Sequence, residues 1–330
     1  MDSIFLNRVL IGIINKLKPA PTLILDTVFA TKKRSLSSLF SWDVQTTSER
    51  ILKNIKVSSP ASMADTQGGT RISCDAPRFA EKRLITAGEM ASMRAFGTTS
   101  SMELLQEKVG ENLKDIRRKI DITREFMAAK ALSGQIIDEA GDVLVDFNFS
   151  AEQKPTLTGT ALWTDAASDP VANIRAWQKK VSQALGTVEK WVAFCGTDAM
   201  DALLNNQNVR ELLRYTEGND IAKKGRIANL SGVEIIEYFG SYIDENGARQ
   251  DLIPADRFIT VAITGDHAME IYAPVVDFDS ENGVGMGKPG EVYFAKAWDS
   301  KDPSGKWLKG ESRPLPVLTR PEAVIYAKVV

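Results

Sequence analysis

Histidine is nearly absent from this chain: 330 residues contain one, His267. Imidazole is the commonest general base and metal ligand near neutral pH, so its scarcity closes the usual routes to acid–base or zinc catalysis. His267 follows Gly265-Asp266 at the end of the apolar run Phe258 to Ile263, which is the place of a loop or strand-edge residue. Cysteine is almost as scarce. Cys74 and Cys195 stand far apart with no CxxC partner, so both read as reduced thiols and no disulfide is expected. A surplus of one charge is missing as well. With 41 basic and 43 acidic residues the net charge is −2, which lacks the basic excess that a nucleic-acid-binding surface uses to displace counterions. Long apolar runs are also lacking. Met1 to Leu17 is apolar at Ile4, Phe5, Val9, Leu10, Ile13, Ile14 and Leu17, but Asn7 and Arg8 interrupt it short of the ~20 residues a membrane span requires. Asp2 stands where a signal peptide carries positive charge. The segment reads as an amphipathic arm seeking a protein partner, with a membrane-surface helix as the lesser reading.

What the chain does contain is ordinary in proportion and unusual in arrangement. Hydrophobic residues make up 43% and charged residues 25%, a globular composition long enough for about two domains. The most informative stretch is Ser101 to Leu132. Leu105, Val109, Leu113, Ile116, Ile120, Met127 and Ala131 recur at helical spacing, while Glu107, Lys108, Glu111, Lys114, Asp115, Arg117, Arg118, Lys119, Asp121, Arg124 and Glu125 occupy the rest of the circumference. Ser100 and Glu103 have the spacing of a capping box. Such a helix would be roughly 50 Å long, well beyond the average three or four turns, and suits a scaffold better than a pocket wall.

Other elements follow in order. Residues 1 to about 45 read as an arm with a break at Pro19-Ala20-Pro21, and Lys32-Lys33-Arg34 reads as a solvated turn. Ile51 to Val57 reads as a strand, and Ser58 to Arg71 is rich in small residues, the composition of a projecting hairpin. After the long helix, Gly134 serves as its stop, and strands at Gln135 to Ile137 and Val143 to Phe149 flank a turn at Glu139-Ala140-Gly141-Asp142. Asp169-Pro170 opens a helix lined by Val171, Ile174, Trp177, Val181 and Leu185, which Gly186 closes. Trp191 to Cys195 is a buried strand, and Thr197 or Asp198 caps the helix after it. Val233 to Tyr242 and Leu252 to Ile263 flank Asn246-Gly247, a strong hairpin signal, and Ala323 to Val330 forms a last strand.

No catalytic set emerges. Asp277, Asp279, Glu281 and Gly283 resemble a calcium loop, but Asn282 and Lys288 occupy the positions where glycine and the bidentate glutamate belong. Gly285-Met286-Gly287-Lys288 lacks the spacer and the hydroxyl residue of a phosphate loop. GxSxG, HExxH and GxGxxG motifs are missing, and Asp198 with Asp201 is a common helix N-terminal pair. Catalytic residues, cofactor-binding residues and metal ligands are therefore all assigned as none, no cofactor is expected, and the chain is not read as an enzyme.

The order of elements resembles the major capsid proteins of tailed bacteriophages, in particular the lambda-type head protein. The resemblance rests on Trp191-Val192-Ala193-Phe194-Cys195-Gly196 with its following helix, on Tyr238-Phe239-Gly240-Ser241-Tyr242-Ile243-Asp244-Glu245-Asn246-Gly247 with its return through Leu252-Ile253-Pro254, and on Ser312-Arg313-Pro314-Leu315-Pro316. It implies an α+β class and the capsid fold shared by tailed phages and herpesviruses, the Hong Kong phage type. It further implies an N-terminal arm at 1–49, an extended loop at 50–90, a peripheral domain with a spine helix at 91–165, an axial domain at 166–308, and a strand at 309–330 returning to the peripheral domain. The implied function is self-assembly into hexamers and pentamers of an icosahedral shell around double-stranded DNA, with an encapsulin-like nanocompartment shell as the alternative. Implied partners are further copies, scaffold and portal proteins, room for a decoration protein and non-specific contact with packaged DNA, with no membrane. The implied location is the virion, after assembly in the host bacterial cytoplasm. Removal of Met1 to Ala20 is expected to leave the body folded and to impair assembly.

Overall fold

The computed structural model describes residues 5–45, 69–89, 101–138, 141–216, 226–265, 267–277 and 290–330. The Ser100 cap, the strand expected from Ile51, and the segment from Asp279 to Lys288 lie outside these residues.

In chain order the elements begin with helices α1 (Asn7–Lys16) and α2 (Leu23–Val28), then strands β1 (Lys32–Arg34), β2 (Leu39–Gln45), β3 (Gly69–Asp75) and β4 (Phe79–Thr86). The long helix α3 (Ser101–Leu132) follows, then β5 (Gln135–Ile137), β6 (Val143–Asp146), α4 (Pro170–Leu185), β7 (Lys190–Cys195), α5 (Thr197–Asn205) and α6 (Gln207–Thr216). The remainder is β8 (Arg226–Leu230), β9 (Val233–Glu237), β10 (Ser241–Ile243), β11 (Arg249–Asp251), β12 (Arg257–Ile263), β13 (Ala268–Tyr272), β14 (Phe294–Ser300), β15 (Gly305–Ser312), β16 (Pro314–Leu318) and β17 (Val324–Lys328).

Two compact units share the chain, and its segments alternate between them. The first holds Met1–Phe40, Ser73–Ala128 and Met269–Val317, and the second holds Ser41–Ile72, Ala129–Ala268 and Leu318–Val330. In the first unit β14, β15 and β4 form an antiparallel sheet in which Trp298, Trp307 and Leu84 stand abreast. The opposite face of that sheet brings Ala295, Leu308 and Ile85 into one core with Val109, Leu113, Ile116 and Ile120 of α3 and with Phe5, Leu10 and Ile14 of the N-terminal segment. Gly310 is required there, because a Cβ would strike the Ile116 side chain. A second sheet in the order β1-β13-β16 completes the unit. Lys32-Lys33-Arg34 is thus a parallel edge strand on β13 with all three side chains exposed, where the sequence suggested a turn. Edge strands tolerate such charge because it discourages stray pairing.

The second unit is built on a five-stranded sheet in the order β17-β12-β7-β9-β8, with β7 and β9 parallel. The expected start of α4 holds: Asp169 Oδ1 accepts from Ala172 N at 3.0 Å, Pro170 takes the first helical position, and Gly186 ends the helix at φ 73°. Ile174, Trp177, Val181 and Leu185 are buried, and Trp163, Trp177 and Phe258 pack ring to ring with centroids 4.9–6.2 Å apart. The last strand has two neighbours. β17 runs antiparallel to β12, while Lys328 also bridges Thr156, so the segment expected to return to residues 91–165 joins the 257–263 strand as well. The long hairpin expected across Val233–Ile263 is split in the same way. β9 and β12 belong to the main sheet, and only the three-residue strands β10 and β11 form the hairpin proper. Its turn has Gly247 N donating to Asp244 O and Gly247 at φ 77°, a three-residue loop with a left-handed glycine.

Candidate functional site

Three groups of residues could carry function, and the first is the polar face of α3. Arg117, Asp121 and Glu125 recur every four residues, and all three are buried. The Arg117 guanidinium donates to Ile14 O at 2.6 Å and to Leu17 O, at the carbonyl end of α1. Asp121 Oδ2 accepts from Ala20 N at 3.1 Å, within the proline break. Glu125 accepts from Ile24 N at 2.7 Å and Leu25 N at 3.2 Å, the second and third amides of α2. A cation therefore meets the negative end of one helix dipole and an anion meets the positive end of the next. Every one of these contacts is to main chain, so the stripe holds the geometry of the helix–turn–helix.

Arg124 extends the network across the unit. Its guanidinium makes a bidentate pair with Glu270 at 2.8 Å on both arms and donates to Tyr272 and Tyr293 at 2.7 Å and to Asp121 at 2.9 Å. Burial opposes its charge, but the Glu270 pairing outweighs this and keeps it protonated far above neutral pH. Both tyrosine hydroxyls are pushed up, first by burial and then by the carboxylates beside them. Such groups are locked donors, and none is poised to exchange a proton near pH 7. In the sequence these charges belong to the polar circumference of the helix. A wider signal was available: four charged residues at 117, 121, 124 and 125 repeat at three and four, as a second helical stripe would.

The second group is a cleft of about 1110 Å³ in the second unit, lined among others by Trp163, Asp165, Asp198, Asp201, Arg210 and Glu211. Asp198 and Asp201 do share a wall, as the helix spacing implied. Its polar side chains are four carboxylates, three amides, the Thr164 hydroxyl and one guanidinium, and no imidazole is among them. His267 lies buried elsewhere in the unit, with Nδ1 against the Thr264 carbonyl. Burial raises the Cys195 thiol well above its ordinary value, and burial likewise raises that of Cys74, so neither is a ready thiolate. Among the described residues no three His, Cys, Asp or Glu side chains gather as a metal site would require, and Asp277 of the suspected calcium loop pairs with Lys296 at 2.7 Å.

The third group is the set of segments on which the resemblance rested, and the fold brings three of them together. Gly196 packs so closely on the Pro254 and Ala255 carbonyls that a Cβ could not be placed there. Its amide donates to Arg257 O at 2.9 Å. Tyr238 donates its amide to Cys195 O at 3.0 Å and sets its ring edge-on to Phe194, with centroids 6.3 Å apart. Gly240 in turn lies under the Tyr238 ring. Separately, in the first unit, Arg313 donates to the Pro274 and Ala76 carbonyls at 3.1 and 2.8 Å. These residues fix chain crossings and contact no common cavity. They are architectural.

A family model for phage major capsid protein E matches residues 7–329. The chain belongs to that family. It is similar to the major capsid protein of Salmonella phage Felix O1, with 23% identity over 89% of this chain and 87% of that one. Among solved structures it is similar to a prophage protein from Escherichia coli CFT073, with a TM-score of 0.65, 16% identity and coverage of 98% and 99%. The subunit of the mature capsid of bacteriophage PhiM1 is also similar, with a TM-score of 0.52, 10% identity and coverage of 95% and 88%. The fold is the α+β capsid fold expected from the order of elements, and the protein is a shell-forming structural component of the virion. The family is one of structural capsid proteins and not of enzymes. The conspicuous charges of α3 hold the subunit together, and the second surface of interest is whatever meets another copy.

Proposed function

We propose that this capsid protein assembles into hexamers and pentamers that close an icosahedral head around double-stranded DNA, in the cytoplasm of a host bacterium. The observation that carries the reading is the family match, which takes in all but the first six residues and the last one. Within that reading, residues 50–90 are the extended loop, 91–165 the peripheral domain around the spine helix, 166–308 the axial domain, and 309–330 the returning strand. The near-balance of charge supports it, since a shell lined with a large basic excess would grip the genome it must release. Scaffold and portal proteins are the further partners of this reading.

Cryo-electron microscopy of particles from cells expressing the chain with its scaffold tests it. Closed shells with five-fold vertices and six-fold rings are expected. Particles built from a single ring type, or open sheets, would overturn it.

A further inference from the structure

The hairpin β10–β11 is built stiffly at its root and left uncovered at its outer part. At the root, buried Tyr238 packs on Phe194, and Gly240 fits beneath the Tyr238 ring, where no side chain could. Leu252 N donates to Gly240 O at 2.9 Å and closes the base. Inside the loop Asp244 accepts from the amides of Asn246 and Ala248 and from the Gln250 side chain. Phe239, between the two root residues, is nonetheless 69% exposed, Ile243 farther out is 62% exposed, and all three residues of β11 face solvent. Two three-residue strands are too short to be stable alone, and among the described residues this pair bonds to no other sheet. A preorganised element that presents two large apolar side chains to water is the form of an interface anchor.

Its charges indicate the surface it fits. The hairpin carries Asp244, Glu245 and Asp251 against Arg249, an acidic balance. In the same unit α4 has no acidic residue at all, and its exposed positions include Ala172, Arg175, Ala176 and Lys179, a low helix face with two cations. Small side chains let an aromatic ring approach the helix backbone, and the flanking cations answer Glu245 and Asp251. We propose that the β10–β11 hairpin of one copy docks on the α4 face of a second copy, with Phe239 and Ile243 over Ala172 and Ala176 and Glu245 paired with Lys179. The two patches lie on different elements, so the contact suits head-to-tail repetition. Repetition of such a contact closes a ring.

This inference rests on the shell-forming reading and deepens it. The test compares the full chain with Phe239→Ser/Ile243→Ser, Glu245→Lys, Lys179→Glu and the Glu245→Lys/Lys179→Glu double reversal. Particle formation is followed by sedimentation and negative-stain imaging, and folding by thermal melting. The serine pair replaces only side chains that face solvent, so unchanged melting is expected with at least a tenfold rise in the lowest concentration that yields particles. Each single charge reversal weakens assembly, and the double reversal restores it. Normal assembly of the serine pair, or a double reversal no better than the singles, would overturn the contact while wild-type particles leave the shell reading intact. A wild type that forms no particle overturns both. If the serine pair melts early, the charge-reversal series decides the matter alone.

Discussion

Arg117, Asp121, Arg124 and Glu125 show how charge can serve as structural material in a buried helix face. Each carboxylate or guanidinium would be costly in the interior without partners, and each has several. Truncating one strands the others. Arg124→Ala leaves Glu270 buried without its cation and Asp121 with Arg117 alone, 3.7 Å away, and is expected to lower unfolding free energy by about 3–5 kcal/mol. Glu125→Ala uncovers two helix amides and is expected to cost about 2–4 kcal/mol. Urea unfolding followed by far-ultraviolet circular dichroism measures both. Glu311 gives the pH signature. Burial pushes its carboxyl up, but hydrogen bonds from Arg78 and Lys309 outweigh this and hold it below its ordinary value of 4.5. A carboxyl lowered by folding contributes stability above its unfolded value and loses it as pH falls through the folded one. The wild-type urea midpoint is therefore expected to drop on acidification below about pH 4.5, and Glu311→Gln to flatten that drop.

At the scale of elements, the N-terminal segment departs most from what its sequence suggests. An amphipathic helix followed by Pro-Ala-Pro reads as an arm in search of a partner, and the partner is the chain's own first unit. Leu10, Ile14, Ile24, Leu25, Val28 and Phe29 are fully buried or nearly so. Removing Met1 to Ala20 takes Phe5, Leu10 and Ile14 out of that core, and at about 2 kcal/mol for each large apolar side chain this is a large share of a marginally stable subunit's free energy. The folded body expected on removal of Met1 to Ala20 from the arm reading is therefore replaced by an expectation of aggregated or degraded protein, and recovery of soluble, cooperatively melting chain would contradict this. Gly196 marks the other critical junction. Gly196→Ala places a methyl against the Pro254 and Ala255 carbonyls, and a loss of roughly 2–3 kcal/mol is expected from overpacking of a rigid crossing.

Legibility in the sequence followed the physical range of each signal. Period-driven elements were readable: α3 with its apolar stripe, α4 with Asp169, Pro170 and Gly186, and the turn at Asn246-Gly247 all depend on neighbours within a few residues. Sheet partners were not. Nothing local to Val324–Lys328 says that it will pair with Arg257–Ile263, and nothing local to Lys32–Arg34 says that it will extend β13. The buried charges of α3 were hidden for the same reason, because their partners stand about a hundred residues or more away: Ile14, Ala20, Ile24, Glu270 and Tyr293.

For the whole molecule, the interleaving of segments between two units means that neither is a separable piece of chain. The first needs residues from the beginning, the middle and the last quarter of the sequence, and the second needs the final strand. Such a subunit suits a shell, where strength in every direction matters more than an accessible pocket. The measurement that bears most directly on this account is negative-stain imaging of the purified full chain, with light scattering, across a concentration series and at several salt concentrations. Closed, hollow particles of uniform diameter above a threshold concentration are the expected result. A chain that remains monomeric throughout, with and without its scaffold, would contradict the account.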